Sequence, residues 1–287
     1  MNCLVTGGSG FLGSHVADEL VKNKFKVFIF DRKKSKWLKK NQKMIVGNLN
    51  NLKKLEKYIK KSDYVFHFAG LSDLNEALNK PAETVIDNIL ATTNLLKMCH
   101  KYKVKRFIYA SSIYVLSDQG GFYRVSKKAA EEYIEEFSQR LKLKFTILRY
   151  GTLYGPRSKN DNGVRKIIFN AVKTNNIAYD GSIKSERKYI NVKDAARITS
   201  EILKKKYVNK HLNVFGSKKI KVKEFLIKVK KILKIKNKII FKNKKILGHY
   251  VSNPSTFRFK KGNDITATSH KNFEKDIKEI VEEIKRQ

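Results

Sequence analysis

Three residues in the middle of the chain have the types and spacing for proton chemistry on a hydroxyl group. Tyr123 and Lys127 stand four positions apart in Tyr123-Arg124-Val125-Ser126-Lys127. On a helix, positions i and i+4 share a face, so phenol and amine would be neighbours. The ammonium would favour the phenolate and is expected to lower the tyrosine pKa toward working pH. A phenol so placed can take or give the proton of an alcohol. Ser112 ends the apolar run Phe107-Ile108-Tyr109-Ala110-Ser111-Ser112 and could hydrogen-bond the same oxygen. The bare spacing Tyr-x-x-x-Lys recurs by chance in so lysine-rich a chain. Its position marks it, because the pair opens a helix that follows the Ser112 strand.

The elements that must position these groups begin at the N-terminus. Asn2-Cys3-Leu4-Val5-Thr6-Gly7-Gly8-Ser9-Gly10-Phe11-Leu12-Gly13 reads as a buried strand, a glycine turn and a helix start, with Val16, Ala17, Leu20 and Val21 at helical spacing. Such a turn lets a phosphate approach the backbone, and the free amides of the helix start favour a bound pyrophosphate. A second strand, Phe25 to Phe30, ends in Asp31, at about the 20-residue distance expected of an acid that grips a ribose hydroxyl.

Further strands are expected at Met44–Gly47, Tyr64–Phe68, Phe107–Ser112 and Phe145–Leu148, with Tyr189–Val192 returning to the sheet. Helices are expected over Leu52–Ile59, continuously from Pro81 to about Tyr102, over Arg124–Leu141 and Val164–Val172, and up to Leu203. Gly151 to Arg157 reads as a turn-rich link. His67 stands alone among apolar residues and reads as a packed histidine. Lys218–Lys245 carries thirteen lysines and one acid, Glu224, over apolar positions at helical spacing, and a last helix is marked by Phe273, Ile277, Ile280, Val281 and Ile284. Strands alternating with helices imply an α/β fold, a Rossmann-type doubly wound parallel sheet with a small C-terminal substrate-binding lobe. Ligands on such sheets bind beyond the strands' carboxyl ends, so Gly7, Asp31, Ala69 and Ser112 should line one crevice.

Composition bounds the rest. The chain has 287 residues, 41% of them hydrophobic. Two cysteines, Cys3 and Cys99, do not make a disulfide framework. No apolar run of about 18 residues or more and no leader-like segment is present, so the expectation is a cytoplasmic protein without a membrane span. Lys and Arg number 63 against 26 Asp and Glu, a net charge of +37. Lysines spread over loops and helix faces read as compositional drift, with nonspecific polyanion binding as its consequence.

Taken together, these motifs resemble those of the extended short-chain dehydrogenases/reductases, the NAD-dependent epimerase/dehydratase family acting on nucleotide sugars. Thr6 to Gly13 matches its cofactor motif, Phe66-His67-Phe68-Ala69-Gly70 its cofactor wall, and Leu148 to Arg157 the segment that joins cofactor pocket to substrate lobe. The resemblance implies catalytic roles for Ser112, Tyr123 and Lys127. It implies cofactor contacts at Gly7, Gly10, Phe11, Leu12, Gly13, Asp31, Arg32, Asn48, Leu49, Phe68, Ala69, Gly70, Asn88, Tyr123, Lys127 and Tyr150. Substrate contacts are implied at Thr152, Arg157 and Arg187, and no metal. The implied division is a dinucleotide domain, 1–156 with 190–216 returning to it, and a substrate lobe, 157–189 with 217–287. A homodimer through helices near 85–102 and 124–141 is implied as well.

Departures narrow the reaction. Dehydratases of the family carry an Asp-Glu pair where this chain has Ile113 and Tyr114, so elimination is disfavoured. The segment between Ser112 and Tyr123 is shorter than usual, Leu116-Ser117 replaces a Tyr-Gly pair, Asn48 an aspartate and Thr152 an asparagine. The expectation is an NAD-dependent nucleotide-sugar 4-epimerase, with a ketoreductase of the same family or a dinucleotide-sensing or RNA-binding relative as alternatives. Asp31 argues for NAD, while Arg32, Lys33 and Lys34 leave NADP open.

Overall fold

The structure is a computed structural model that describes residues 1–159, 161–217 and 219–242. The expected last helix, and the end of the expected substrate lobe, lie outside the described residues. The chain opens with β1 (Asn2–Thr6), α1 (Phe11–Lys22), β2 (Lys26–Asp31), β3 (Gln42–Val46), α2 (Leu52–Ile59) and β4 (Tyr64–His67). Next come α3 (Leu74–Asn79), α4 (Pro81–Val85), a π-helical turn (Ile86–Leu90), α5 (Ala91–Lys101), β5 (Arg106–Ser112), α6 (Gly121–Leu141) and β6 (Phe145–Tyr150). The rest comprises β7 (Thr152–Tyr154), α7 (Gly163–Thr174), β8 (Ala178–Tyr179), β9 (Glu186–Arg187), β10 (Tyr189–Asn191) and α8 (Val192–Glu201). Then follow β11 (Lys210–Val214), β12 (Ile220–Lys221), α9 (Val222–Ile232) and β13 (Ile240–Phe241).

Seven parallel strands form the sheet in the order β11-β6-β5-β4-β1-β2-β3. Strand residues alternate between its faces. Leu4, Phe30, Val65, Phe107 and Ile147 pack with α2, α5 and α6 through Leu55, Ile59, Leu95, Leu96 and Ile134. Cys3, Val5, Ile29, Phe66, Ile108 and Leu148 pack on the other face with Val16, Ala17 and Leu20 of α1 and Ala195 and Ala196 of α8. Burial on both faces explains why these strands read as continuous apolar runs. The strand order changes direction between β1 and β4, and the crevice opens there, beyond the carboxyl ends of the strands.

Three expectations change. Tyr189–Asn191 pairs with β7 in a separate two-stranded sheet, and the strand that completes the main sheet is β11, paired in parallel with β6. Lys210 and His211 made β11 too polar to read as a strand, but an edge strand tolerates polar residues. The long helix begun by Pro81 is interrupted by the π-helical turn at Ile86–Leu90. Gly151–Arg157 contains strand β7 rather than turns alone. Beside the sheet, Ala171, Ile177, Val222, Leu226, Val229 and Ile235 form a smaller core joining α7 and α9. Leu226 and Val229 keep the expected helical spacing while the lysines face solvent.

Candidate functional site

A cavity of about 710 Å³ runs from the first glycine turn, past the ends of β4, β5 and β6, to α7 and the segment between β8 and β10. At its first end the backbone itself is the binding surface. Gly7 has φ +71°, and a Cβ there would lie 2.6 Å from the Ala69 nitrogen. A Cβ on Gly13 would lie 2.4 Å from the Gly7 carbonyl oxygen, so α1 and β1 approach more closely than any side chain allows. Gly10 precedes the first turn of α1, whose leading amides have no carbonyl of an earlier turn to bond. Gly7, Gly10, Phe11, Leu12 and Gly13 line the cavity, a cradle suited to a pyrophosphate.

Next to this cradle, Asp31 ends β2. Its carboxylate accepts the Ser9 N–H at 3.0 Å and the Lys33 N–H at 3.0 Å, which fixes its orientation. Arg32, Asn48 and Leu49 line the same end of the cavity. The Asn48 side chain accepts the Asn50 N–H, 3.0 Å. On the opposite wall stand Phe68, Ala69 and Gly70. A Cβ on Gly70 would come within 2.5 Å of Asn88 Oδ1. Asn88 therefore acts from behind. It is buried in the π-helical turn, accepts the Leu71 N–H (2.7 Å) and donates to the Leu71 carbonyl and to Ser126 Oγ, both at 2.9 Å. It clamps the β4 turn to α6 and does not line the cavity.

Ser112, Tyr123 and Lys127 meet at the centre. β5 brings Ser112 to the cavity and α6 brings Tyr123 and Lys127. Ser112 is buried and Tyr123 half-buried where they meet the cavity. Lys127 Nζ donates to the Ala110 carbonyl at 3.0 Å and sits 4.8 Å from the centre of the Tyr109 ring. Here the chemistry departs from the expectation that Lys127 lowers the Tyr123 pKa. Burial raises that pKa above its ordinary value, and the opposing influence is the neighbouring Ser112 hydroxyl. Burial also lowers Lys127 to about 8, against the pull of Glu131. The reason is local: the Lys127 amine is engaged by the Ala110 carbonyl, and taking the phenol out of water disfavours its anion.

Behind this centre, Glu131 accepts Arg149 at two points (Nη2–Oε2 2.5 Å and Nε–Oε1 3.1 Å) and Ser111 Oγ at 2.5 Å. Glu131, Glu135 and His211 bring ligand atoms within 4.8 Å of one another, but the Glu131 carboxylate is already committed to Arg149 and Ser111. His67, as expected, is packed: Nδ1 meets Thr6 Oγ1 at 2.6 Å and Nε2 meets Thr92 Oγ1 at 2.9 Å, and burial lowers it to about 3. Tyr150 lines the cavity with its phenol tied to Thr199 Oγ1, 2.6 Å.

At the far end Thr152 and Arg187 line the cavity. Arg157 does not. It ion-pairs with Asp18 at 2.8 Å and lies 4.9 Å over the Trp37 ring, so it anchors the segment leaving β7 to α1. Its positive φ of 66° turns the chain at that point. Sequence reasoning missed several lining residues, among them Tyr114, Lys166 and Asp87. Tyr114 packs edge-on to Tyr123, ring centres 6.3 Å apart. Its place next to Ser112 was legible, but the direction of its ring was not. Lys166 was legible only as one more lysine on a helix.

A parallel sheet with a glycine cradle after its first strand, and Ser, Tyr and Lys beside the fourth-strand turn, defines a short-chain dehydrogenase/reductase of the extended kind. The chain matches the NAD dependent epimerase/dehydratase family over residues 3–214 and belongs to that family. Among relatives, a Methanocaldococcus jannaschii protein provisionally named a UDP-glucose 4-epimerase is 25% identical over 272 residues, 83% of this chain and 84% of its own length. Thermotoga maritima UDP-glucose 4-epimerase, solved with UDP-glucose, superposes with a TM-score of 0.82 at 26% identity, covering 90% of each chain. MoeE5, solved with UDP-glucose and NAD, gives a TM-score of 0.79 at 25% identity over 90% of each chain. Like its family, the chain is an NAD-dependent enzyme, and the glycine cradle and Asp31 fit that cofactor.

Proposed function

We propose that this protein is a nucleotide-sugar 4-epimerase in which Ser112, Tyr123 and Lys127 are the catalytic residues. The observation that carries the reading is the convergence of Ser112, Tyr123 and Lys127 on the same cavity as the glycine cradle. Gly7, Gly10 to Gly13 and Asp31 would hold the pyrophosphate and ribose of NAD, and Phe68, Ala69, Gly70 and Lys127 its nicotinamide end. When bound there, NAD would supply the hydride acceptor and returning donor. Tyr123 Oη takes the proton of the sugar hydroxyl as the carbon–hydrogen bond breaks and the carbonyl forms. Ser112 Oγ holds that carbonyl oxygen. After the keto sugar turns over, Tyr123 Oη would return the proton to its oxygen. Lys127 positions the ribose by its fixed amine.

Beside Ser112 stand Ile113 and Tyr114, with no acid–base pair there for eliminating water. Thr152 and Arg187 would meet the substrate phosphates, and residues 157–189 with 217–287 would form the substrate lobe. Exposed Val85, Ile86 and Leu90 on one side and Phe122, Val125 and Tyr133 on α6 support a homodimer through these helices. The free, buried Cys3 and Cys99 accord with a cytoplasmic site of action.

The test is incubation of the purified protein with single nucleotide sugars, beginning with UDP-glucose. The reading expects a 4-epimer mixture without added oxidant or reductant. A requirement for stoichiometric NADH or NADPH would instead indicate a ketoreductase.

A further inference from the structure

Arg32 and Asp87 meet across the cofactor end of the cavity. Arg32 Nη1 lies 3.4 Å from Asp87 Oδ2, and both residues line the cavity. Arg32 follows Asp31 directly, at the carboxyl end of β2. Asp87 comes from a different part of the fold, the π-helical turn, next to the Asn88 that locks that turn to β4 and α6. Its backbone is therefore well fixed, and its side chain is 23% exposed against 63% for Arg32.

The chemistry of this place is a choice between a ribose hydroxyl and a ribose phosphate. Asp31 is held by two backbone N–H groups and cannot turn aside for a phosphate. Arg32 is the neighbouring group that could reverse the preference, because a guanidinium offers paired donors matched to phosphate oxygens. In a chain of net charge +37, an arginine here with no carboxylate partner would draw a phosphate strongly. Asp87 occupies that guanidinium and adds a second negative charge to the same wall.

We propose that Asp87 is a cofactor-specificity residue, which engages Arg32 and so keeps it from serving a 2′-phosphate. The proposal rests on the dinucleotide reading of the cavity and extends it to the choice between NAD and NADP. An ion pair this exposed contributes little to folding, so its removal leaves the fold intact.

Calorimetric titration of the full chain with NAD and with NADP tests the assignment in the parent protein, in Asp87→Asn, and in the double variant Arg32→Ala/Asp87→Asn. The parent protein is expected to prefer NAD. Asp87→Asn should shift the affinity ratio toward NADP by about tenfold, the effect of freeing one charge-assisted contact. The double variant should return the ratio toward the parent value. An unmoved ratio in Asp87→Asn overturns the proposal. So does a gain that survives loss of Arg32, which would assign the phosphate to Lys33 or Lys34. Absence of binding by either dinucleotide to the parent protein would instead bring down the reading of the cavity itself.

Discussion

Lys127 Nζ donates a hydrogen bond to the carbonyl oxygen of Ala110, 3.0 Å away, and so ties α6 to β5, the strand that carries Ser112. The bond sets the amine's place but leaves it desolvated, with its pKa lowered to about 8. Function and stability therefore pull in opposite directions at this residue.

Lys127→Met should separate the two. Below pH 8 this site costs stability, because the unfolded chain's ordinary lysine binds its proton more readily than the buried Lys127 amine. Removing it should leave the thermal midpoint at pH 7 equal or higher while turnover falls by roughly 10²-fold or more. Parallel measurement of melting and initial rate checks this. A variant that loses activity because it unfolds would contradict it.

His67 makes stability depend on acid. Its folded pKa, about 3, lies below the unfolded value near 6.5, so between these limits only the unfolded chain takes the proton. The stabilisation is complete above pH 6.5 and is lost as pH falls, on the order of 2 kcal/mol by pH 5. Denaturant unfolding at pH 7 and pH 5 should show this slope in the parent protein, and His67→Gln should flatten it. An equal slope in both proteins would rule the histidine out.

The Glu131–Arg149 pair is buried on the glutamate side, and it also receives Ser111. Glu131→Gln strands the guanidinium beside the core, which typically costs about 3–5 kcal/mol for a buried pair. Equilibrium unfolding measures the loss. A change below about 1 kcal/mol would show that water already compensates the arginine.

Gly13→Ala drives a methyl group to within 2.4 Å of the Gly7 carbonyl oxygen. Backbone cannot rotate away as a side chain can, so the cradle must open. NAD affinity is expected to fall by about tenfold or more, since a phosphate site depends on its amides converging. Titration with NAD decides, and an unchanged Kd would mean that the cradle does not hold the pyrophosphate.

The sheet and its cradle were legible because their signals are local. Glycines at fixed offsets, buried apolar runs and an acid at a strand end all act within a few residues of one another. The same holds for Ser112, Tyr123 and Lys127, which helix geometry and strand ends bring together. What stayed hidden depends on contacts between distant segments. Arg157 sits in a stretch like those that reach substrate, yet Asp18, 139 positions away, captures it. β11 is an edge strand whose pairing with β6 compensates its polar composition. The Tyr123 pKa depends on burial, which no spacing reveals, and the Arg32–Asp87 pair joins two elements 55 positions apart by chain number.

The most direct test of the account is the turnover of Tyr123→Phe with UDP-glucose, measured together with its NAD affinity. The account predicts that the variant binds NAD nearly as well as the parent protein but interconverts the 4-epimers at least about 10²-fold more slowly, because the missing hydroxyl is the group that moves the proton. Turnover at the parent rate would contradict it.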